Sequence, residues 1–135
     1  MNPGKRVSIV GQGYVGLPLA MAAIRSGWHV TGIDVSLRIV DGLNSGISHV
    51  EDVTNEDLQK AINAGLYRAT NNGGVAADSE ICIICVPTPL DAKGLPDLSY
   101  LDSAVRLVAK HLPENALLVS ESTSYPGTVR DFVAP

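Results

Sequence analysis

Arg6-Val7-Ser8-Ile9-Val10 runs directly into Gly11-Gln12-Gly13-Tyr14-Val15-Gly16. The first five residues are rich in β-branched side chains and stop at glycine, which predicts a buried strand. The next six have the spacing G-x-G-x-x-G. Residues 14–26 then carry Val15, Leu19, Ala22 and Ala23 at helical spacing, and Gly27 follows as a stop. Glycine is common, so the spacing alone says little. Between a strand and a helix it becomes informative. Pro18 removes one helical hydrogen bond, but near the first turn, where the loss is least damaging.

The spacing has a chemical reason. Gly11 permits a tight turn, Gly13 lets the backbone approach a pyrophosphate, and Gly16 lets the helix pack close to the sheet. The pyrophosphate would sit on the helix N-terminus, where free N–H groups and the helix dipole favour an anion. Asp34 closes the second strand about 20 residues beyond the loop, where a carboxylate accepts hydrogen bonds from the adenine ribose hydroxyls. The competing role for Asp34 is to cap the next helix. A carboxylate there repels a 2′-phosphate, so the pattern predicts NAD rather than NADP, although Arg38 nearby could accommodate such a phosphate. No G-K-S/T follows the glycines, which disfavours a P-loop NTPase.

Further out, short apolar runs alternate with helical patterns. Strands are predicted at 29–33, 66–70, 81–86 and 116–120. Helices are predicted at 37–43, with Ile39, Val40 and Leu43 as the apolar side, and at 55–64, opened by a Thr54/Asp57 capping pattern. A third is capped by Asp97 or Ser99 and has the stripe Leu101, Ala104, Val105, Val108 and Leu112. The alternation indicates an α/β fold, a Rossmann-type doubly wound parallel sheet of about five strands. The usual order is 3-2-1-4-5-6, so residues 1–135 are expected to form one dinucleotide-binding domain that stops before the sixth strand. The fifth strand would then be an open edge, with weak self-association expected through 116–120.

On such sheets ligands bind at the carboxyl ends of the strands, where strand order reverses. The fourth strand leads into Pro87-Thr88-Pro89, where the prolines stiffen the loop and Thr88 offers a hydroxyl to a cofactor. The fifth leads into Glu121-Ser122-Thr123-Ser124, whose hydroxyls could reach the nicotinamide end or simply cap a turn.

Composition excludes other classes. With 45% hydrophobic and 18% charged residues the 135-residue chain can build a core. A net charge of −4 argues against nucleic acid as a partner. No apolar run approaches the roughly 20 residues of a membrane span, and the N-terminus does not read as a signal peptide. Two cysteines without an export signal point to the cytoplasm. Cys82 and Cys85 have C-x-x-C spacing, but residues three apart on a strand face opposite sides, so they are expected to be core residues rather than a redox pair. His29, His49 and His111 show no ligand spacing, and no metal site is expected.

The motifs, taken together, resemble a family. They are Gly11-Gln12-Gly13-Tyr14-Val15-Gly16-Leu17-Pro18, Glu51-Asp52-Val53, Cys85-Val86-Pro87-Thr88-Pro89-Leu90, Pro96-Asp97-Leu98-Ser99-Tyr100 and Glu121-Ser122-Thr123-Ser124-Tyr125-Pro126-Gly127-Thr128. In this order they make almost the whole chain similar to the N-terminal domain of the UDP-sugar 6-dehydrogenases, which include UDP-glucose dehydrogenase and the UDP-N-acetylhexosamine dehydrogenases. Val-Pro-Thr-Pro-Leu, Pro-Asp-Leu-Ser and Glu-Ser-Thr-Ser-Tyr-Pro-Gly-Thr look more like the N-acetylhexosamine (GlcNAc or ManNAc) branch. The resemblance implies oxidation of a C6 alcohol to a carboxylate with two NAD, through a thiohemiacetal on a catalytic cysteine. It also implies cofactor contacts: the backbone of Tyr14 and Val15 at the pyrophosphate, Asp34 on the ribose, Arg38 beside the adenosine, and Pro87 and Thr88 against the cofactor. Thr123 lies near the nicotinamide in a supporting catalytic role. Neither Cys82 nor Cys85 matches the catalytic cysteine. That cysteine, the oxyanion-stabilising lysine and asparagine, the glutamate after the Thr123 region and the UDP-binding domain have no counterpart here. The expectation is therefore a fragment, inactive alone, of a homo-oligomeric parent that binds the UDP-sugar. Other Rossmann dehydrogenases, such as 3-hydroxy-acid or 6-phosphogluconate types, and a non-catalytic dinucleotide-binding module are the alternatives.

Overall fold

A computed structural model describes residues 5–86, 92–95, 97–113 and 116–120. Five strands form one parallel sheet: β1 (Arg6–Val10), β2 (His29–Ile33), β3 (Tyr67–Thr70), β4 (Ile81–Ile84) and β5 (Leu117–Ser120), in the order β3-β2-β1-β4-β5. The register is regular, with Val10 beside Ile33 on one side and Ile84 on the other. The chain moves outward from β1 to β3, then crosses back to place β4 on the other flank of β1. The point where strand order reverses therefore lies between β1 and β4, as the alternation of elements predicted.

Period-two alternation divides the core into two layers. Val7 and Ile9 of β1 face α1 (Gly16–Arg25), α2 (Leu37–Asn44) and α3 (Asn55–Asn63), packing with Leu17, Ala20, Leu43 and Leu58. Val10, Cys82 and Ile84 face the other way, against α4 (Ser99–Ala109). The predicted α4 stripe is the buried one: Leu101, Ala104, Val105 and Val108 are in the core, with Leu112 packed beside them. Each of the Leu and Val side chains contributes about 1.5–3 kcal/mol on full burial, which outweighs the weak propensities of β-branched residues in a helix.

The Thr54 cap behaves as the sequence predicts, whereas α4 is capped at Leu98 with no side-chain bond, and Asp97 instead braces the turn before it. Thr54 Oγ1 accepts from the Asp57 N–H (3.1 Å) at the start of α3, and Asp97 Oδ1 accepts from the Ser99 N–H (2.9 Å) at the start of α4. Cys82 lies in the α4-side layer and Cys85 packs on the α1 side, and neither is in a disulfide, so the C-x-x-C spacing makes no redox pair.

Three further expectations need correction. The helix expected at 14–26 begins at Gly16, so Tyr14 and Val15 belong to the preceding turn and are exposed. Its buried face is Gly16, Leu17, Ala20 and Met21 rather than Val15, Leu19, Ala22 and Ala23. The helix is apolar on most sides, so periodicity left its orientation open, and the close packing of Gly16 on the loop decided it. Third, the turn at Asn71–Gly74 continues into a short 3-10 helix, Gly73–Asp78. Gly73 begins it against α4: a Cβ there would stand 2.1 Å from the Leu107 carbonyl oxygen. Among the described residues no helix is long and apolar enough to cross a membrane.

Candidate dinucleotide-binding site

The glycine turn sits on the carboxyl end of β1. Hydrogen bonds continue the sheet into it: Gly11 N–H donates to the Ile33 carbonyl (2.7 Å) and Cys85 N–H to the Val10 carbonyl (2.7 Å). The three glycines of the turn have different physical reasons. Gly11 has φ +93°, and a Cβ there would stand 2.5 Å from the Cys85 carbonyl oxygen. A Cβ on Gly16 would stand 1.7 Å from the Gly11 carbonyl oxygen. Both are therefore required by the protein's own backbone. A Cβ on Gly13 would meet nothing within 4 Å. Among the described residues no internal contact explains glycine at that position, and the space above it is open to a ligand.

The electrostatics agree. Among the described residues, no carbonyl accepts from the N–H groups of Gly13, Tyr14, Val15 or Gly16. They lie at the positive end of the α1 dipole. Asp34 follows β2 and is half-buried. Its Oδ2 accepts from the Gln12 N–H (3.0 Å) and its Oδ1 from the Ser36 N–H (3.0 Å). Asp34 therefore braces the entry to α2, where Ser36 rather than Asp34 is the cap, and it lies against the glycine turn. A carboxylate oxygen has two acceptor sites, so one site on each oxygen remains for a vicinal diol. Ser36 caps α2 by accepting from the Ile39 N–H. Arg38 is exposed on the first turn of α2 and forms no ion pair with Asp34. Pro87, Thr88 and Thr123 lie outside the described residues.

Gln12 is the residue that pattern reading missed. Its side chain is fully buried. Nε2 donates to the Ile9 carbonyl (3.0 Å) and the Gly11 carbonyl (3.2 Å), and Oε1 accepts from the Tyr67 hydroxyl (2.7 Å). An unsatisfied amide there would cost about 1–3 kcal/mol. The pair lies over Gly32 of β2, where a Cβ would come within 2.5 Å of Gln12 Oε1 and 2.6 Å of the Tyr67 hydroxyl. The one signal available in the sequence was Gly32 itself, a glycine inside an apolar strand, which marks close approach by another group.

Burial, and secondarily the Asp34 charge, raise the Tyr67 phenol. Burial, and secondarily Cys85, push the Cys82 thiol from its ordinary 9.0 up to about 12. Both folded groups hold their protons more tightly than the unfolded chain does. Below pH 9 both are neutral in either state and their contribution is complete. Above it the unfolded chain ionises first, and stability is lost as pH rises toward 12. Thermal unfolding followed by circular dichroism is expected to show a falling Tm over that range. The fall should be shallower in Tyr67→Phe than in the wild type.

A groove of about 360 Å³, lined by residues including Arg6, His29, Tyr67, Arg68 and Asp78, opens at the amino ends of the strands. It is the wrong end of the sheet for a dinucleotide.

Residues 5–135 match the NAD binding domain of the UDP-glucose/GDP-mannose dehydrogenase family. The chain belongs to that family. Its cofactor is accordingly NAD, and the residues around Gly13 and Asp34 fit that cofactor. A UDP-N-acetyl-D-mannosamine dehydrogenase of Pyrococcus horikoshii is 38% identical over 91% of the chain and 29% of its own length. An NDP-N-acetyl-D-galactosaminuronic acid dehydrogenase of Ralstonia nicotianae is 36% identical over 95% of the chain and 30% of its own length. Among solved structures, a ternary complex of GDP-mannose dehydrogenase from Pseudomonas aeruginosa superposes with a TM-score of 0.90 at 35% identity, covering 96% of the chain and 31% of that protein. The chain thus spans about 30% of the length of the family members it matches.

Proposed function

We propose that the chain is the cofactor-binding part of a longer, homo-oligomeric cytoplasmic enzyme that oxidises the C6 alcohol of a UDP-N-acetylhexosamine to the carboxylate with two NAD. One observation carries the cofactor half of this reading: the Asp34 carboxylate is held by the glycine turn itself, beside open space at Gly13. The substrate half is supported by the Pro-Asp-Leu-Ser and Glu-Ser-Thr-Ser-Tyr-Pro-Gly-Thr blocks and by the named activity of the mannosamine relatives. Similarity to a GDP-mannose enzyme favours a second reading, another nucleotide sugar on the same cofactor chemistry.

NAD supplies the hydride acceptor. The chain's residues bind and orient it. Backbone N–H groups of Tyr14 and Val15 meet the pyrophosphate, and Gly11 and Gly16 hold the turn that presents them. Asp34 accepts from the ribose hydroxyls, and Arg38 lies beside the adenosine. Pro87, Thr88 and Thr123 take their roles by motif position, Thr123 near the nicotinamide. The catalytic cysteine, lysine and asparagine and the UDP-binding domain belong to the rest of the parent.

Calorimetric titration of this chain should show NAD binding and much weaker NADP binding. Equal affinities would overturn the assignment of Asp34. The parent should release two NADH per UDP-N-acetylhexosamine oxidised, and this chain alone none. Preference of the parent for UDP-glucose, GDP-mannose or a free hydroxy acid would replace the substrate assignment.

A further inference from the structure

The hydrogen bond between Tyr67 and Gln12 joins residues 55 positions apart and crosses β2 above Gly32. Tyr67 is buried in the α1-side core on β3, which does not pair with β1 and whose last residue, Thr70, accepts from the Asp34 backbone N–H (3.0 Å). The Tyr67 hydroxyl reaches the one buried side chain of the glycine turn, Gln12. Gln12 makes three side-chain hydrogen bonds there, one to the Ile9 carbonyl of β1, one to the Gly11 carbonyl of the turn and one from the Tyr67 hydroxyl. The backbone N–H of the same residue holds Asp34 Oδ2, so whatever fixes Gln12 also fixes one oxygen of the carboxylate. Among the described residues the other oxygen is held only by Ser36, from the segment that Asp34 itself introduces.

We propose that Tyr67 is a positioning residue for the cofactor: acting through Gln12, it holds the Asp34 carboxylate in the orientation that accepts a vicinal diol, and so sets the preference for a free ribose 2′-hydroxyl over a 2′-phosphate. The inference rests on the NAD reading above. Tyr67 touches no cofactor atom in this scheme. It restricts the carboxylate before binding, and a preorganised acceptor loses less freedom when the ligand arrives.

The test is a titration of this chain and its variants with NAD and NADP. Tyr67→Phe is expected to weaken NAD binding about fivefold to tenfold and NADP binding by less than about twofold, shrinking the ratio of the two affinities. In an Asp34→Asn background the same change is expected to add less than about twofold, because the group through which Tyr67 acts is already gone. A merely structural tyrosine would weaken both nucleotides alike, and its effect would persist in the Asp34→Asn background. Either of those results, or unchanged NAD binding in Tyr67→Phe, overturns the inference. If Tyr67→Phe does not fold, the paired Gln12→Leu, Tyr67→Phe variant removes both members of the buried Tyr67–Gln12 pair together and is expected to show the same loss of NAD-over-NADP preference. A wild-type preference there overturns the inference. A wild-type chain with no NAD preference refutes the underlying reading instead, which separates the two failures.

Discussion

Gly13→Ala is expected to weaken NAD binding roughly tenfold or more, equivalent to about 1.4 kcal/mol, while leaving the fold intact. The reason is the empty space around it: a Cβ at this position meets no atom of the described residues within 4 Å, so none of them resists it. Its backbone φ lies outside the left-handed range. Removing glycine's freedom from the unfolded chain can even stabilise the fold by about 0.4–1 kcal/mol at a compatible position. The methyl group would instead occupy the approach of the pyrophosphate. Gly16→Ala is the contrast. Its Cβ would lie 1.7 Å from the Gly11 carbonyl oxygen, a backbone atom that cannot swing aside. It is expected to cost at least about 3 kcal/mol, with NAD binding lost together with the fold. Melting curves and NAD titrations of the two variants distinguish a glycine kept for the ligand from one kept for the chain. A Gly13→Ala protein that binds NAD as the wild type does would remove the ligand from that space.

Asp34→Asn carries the other large effect. The native carboxylate uses each oxygen once on a backbone N–H and keeps acceptor capacity for two hydroxyls. The amide has one oxygen and turns donors toward the Gln12 or Ser36 N–H. Hydrogen bonds to a charged group contribute about 1.5–3 kcal/mol each, so losing one of the ribose contacts predicts roughly a tenfold to hundredfold loss of NAD affinity. NADP should lose little, because the charge that repels its 2′-phosphate is gone. The same titration therefore reads both changes. Undiminished NAD affinity in Asp34→Asn would reduce Asp34 to the brace of α2 that its contact with the Ser36 N–H already makes it.

Much of this was legible in the chain because it depends on short spacings. The glycine turn, the helix behind it and an acid at the end of the next strand all lie within about 25 residues, the distance over which strand, turn and helix follow from periodicity and stop signals. The α4 stripe was equally legible, since Leu101, Ala104, Val105 and Val108 define one face and the opposite face is polar. The α1 face was not, because Leu17, Leu19, Ala20 and Ala23 offer apolar residues in several directions. There the contact between Gly16 and Gly11 chose which side met the sheet.

The sequence by itself determined the class of fold, the strand order and the position of the acid proposed to select NAD, since each follows from local pattern and from the handedness of β-α-β connections. The tertiary structure alone decided what happens between Gly11 and Gly13. Gln12 reads as an unremarkable polar residue in a turn. It becomes the hub of the site because β3 brings a hydroxyl across β2 to its buried amide, over the one strand residue with no side chain to block it. Burial turns that polar side chain into an obligation to find partners, and only the packing of three strands says which partners are within reach.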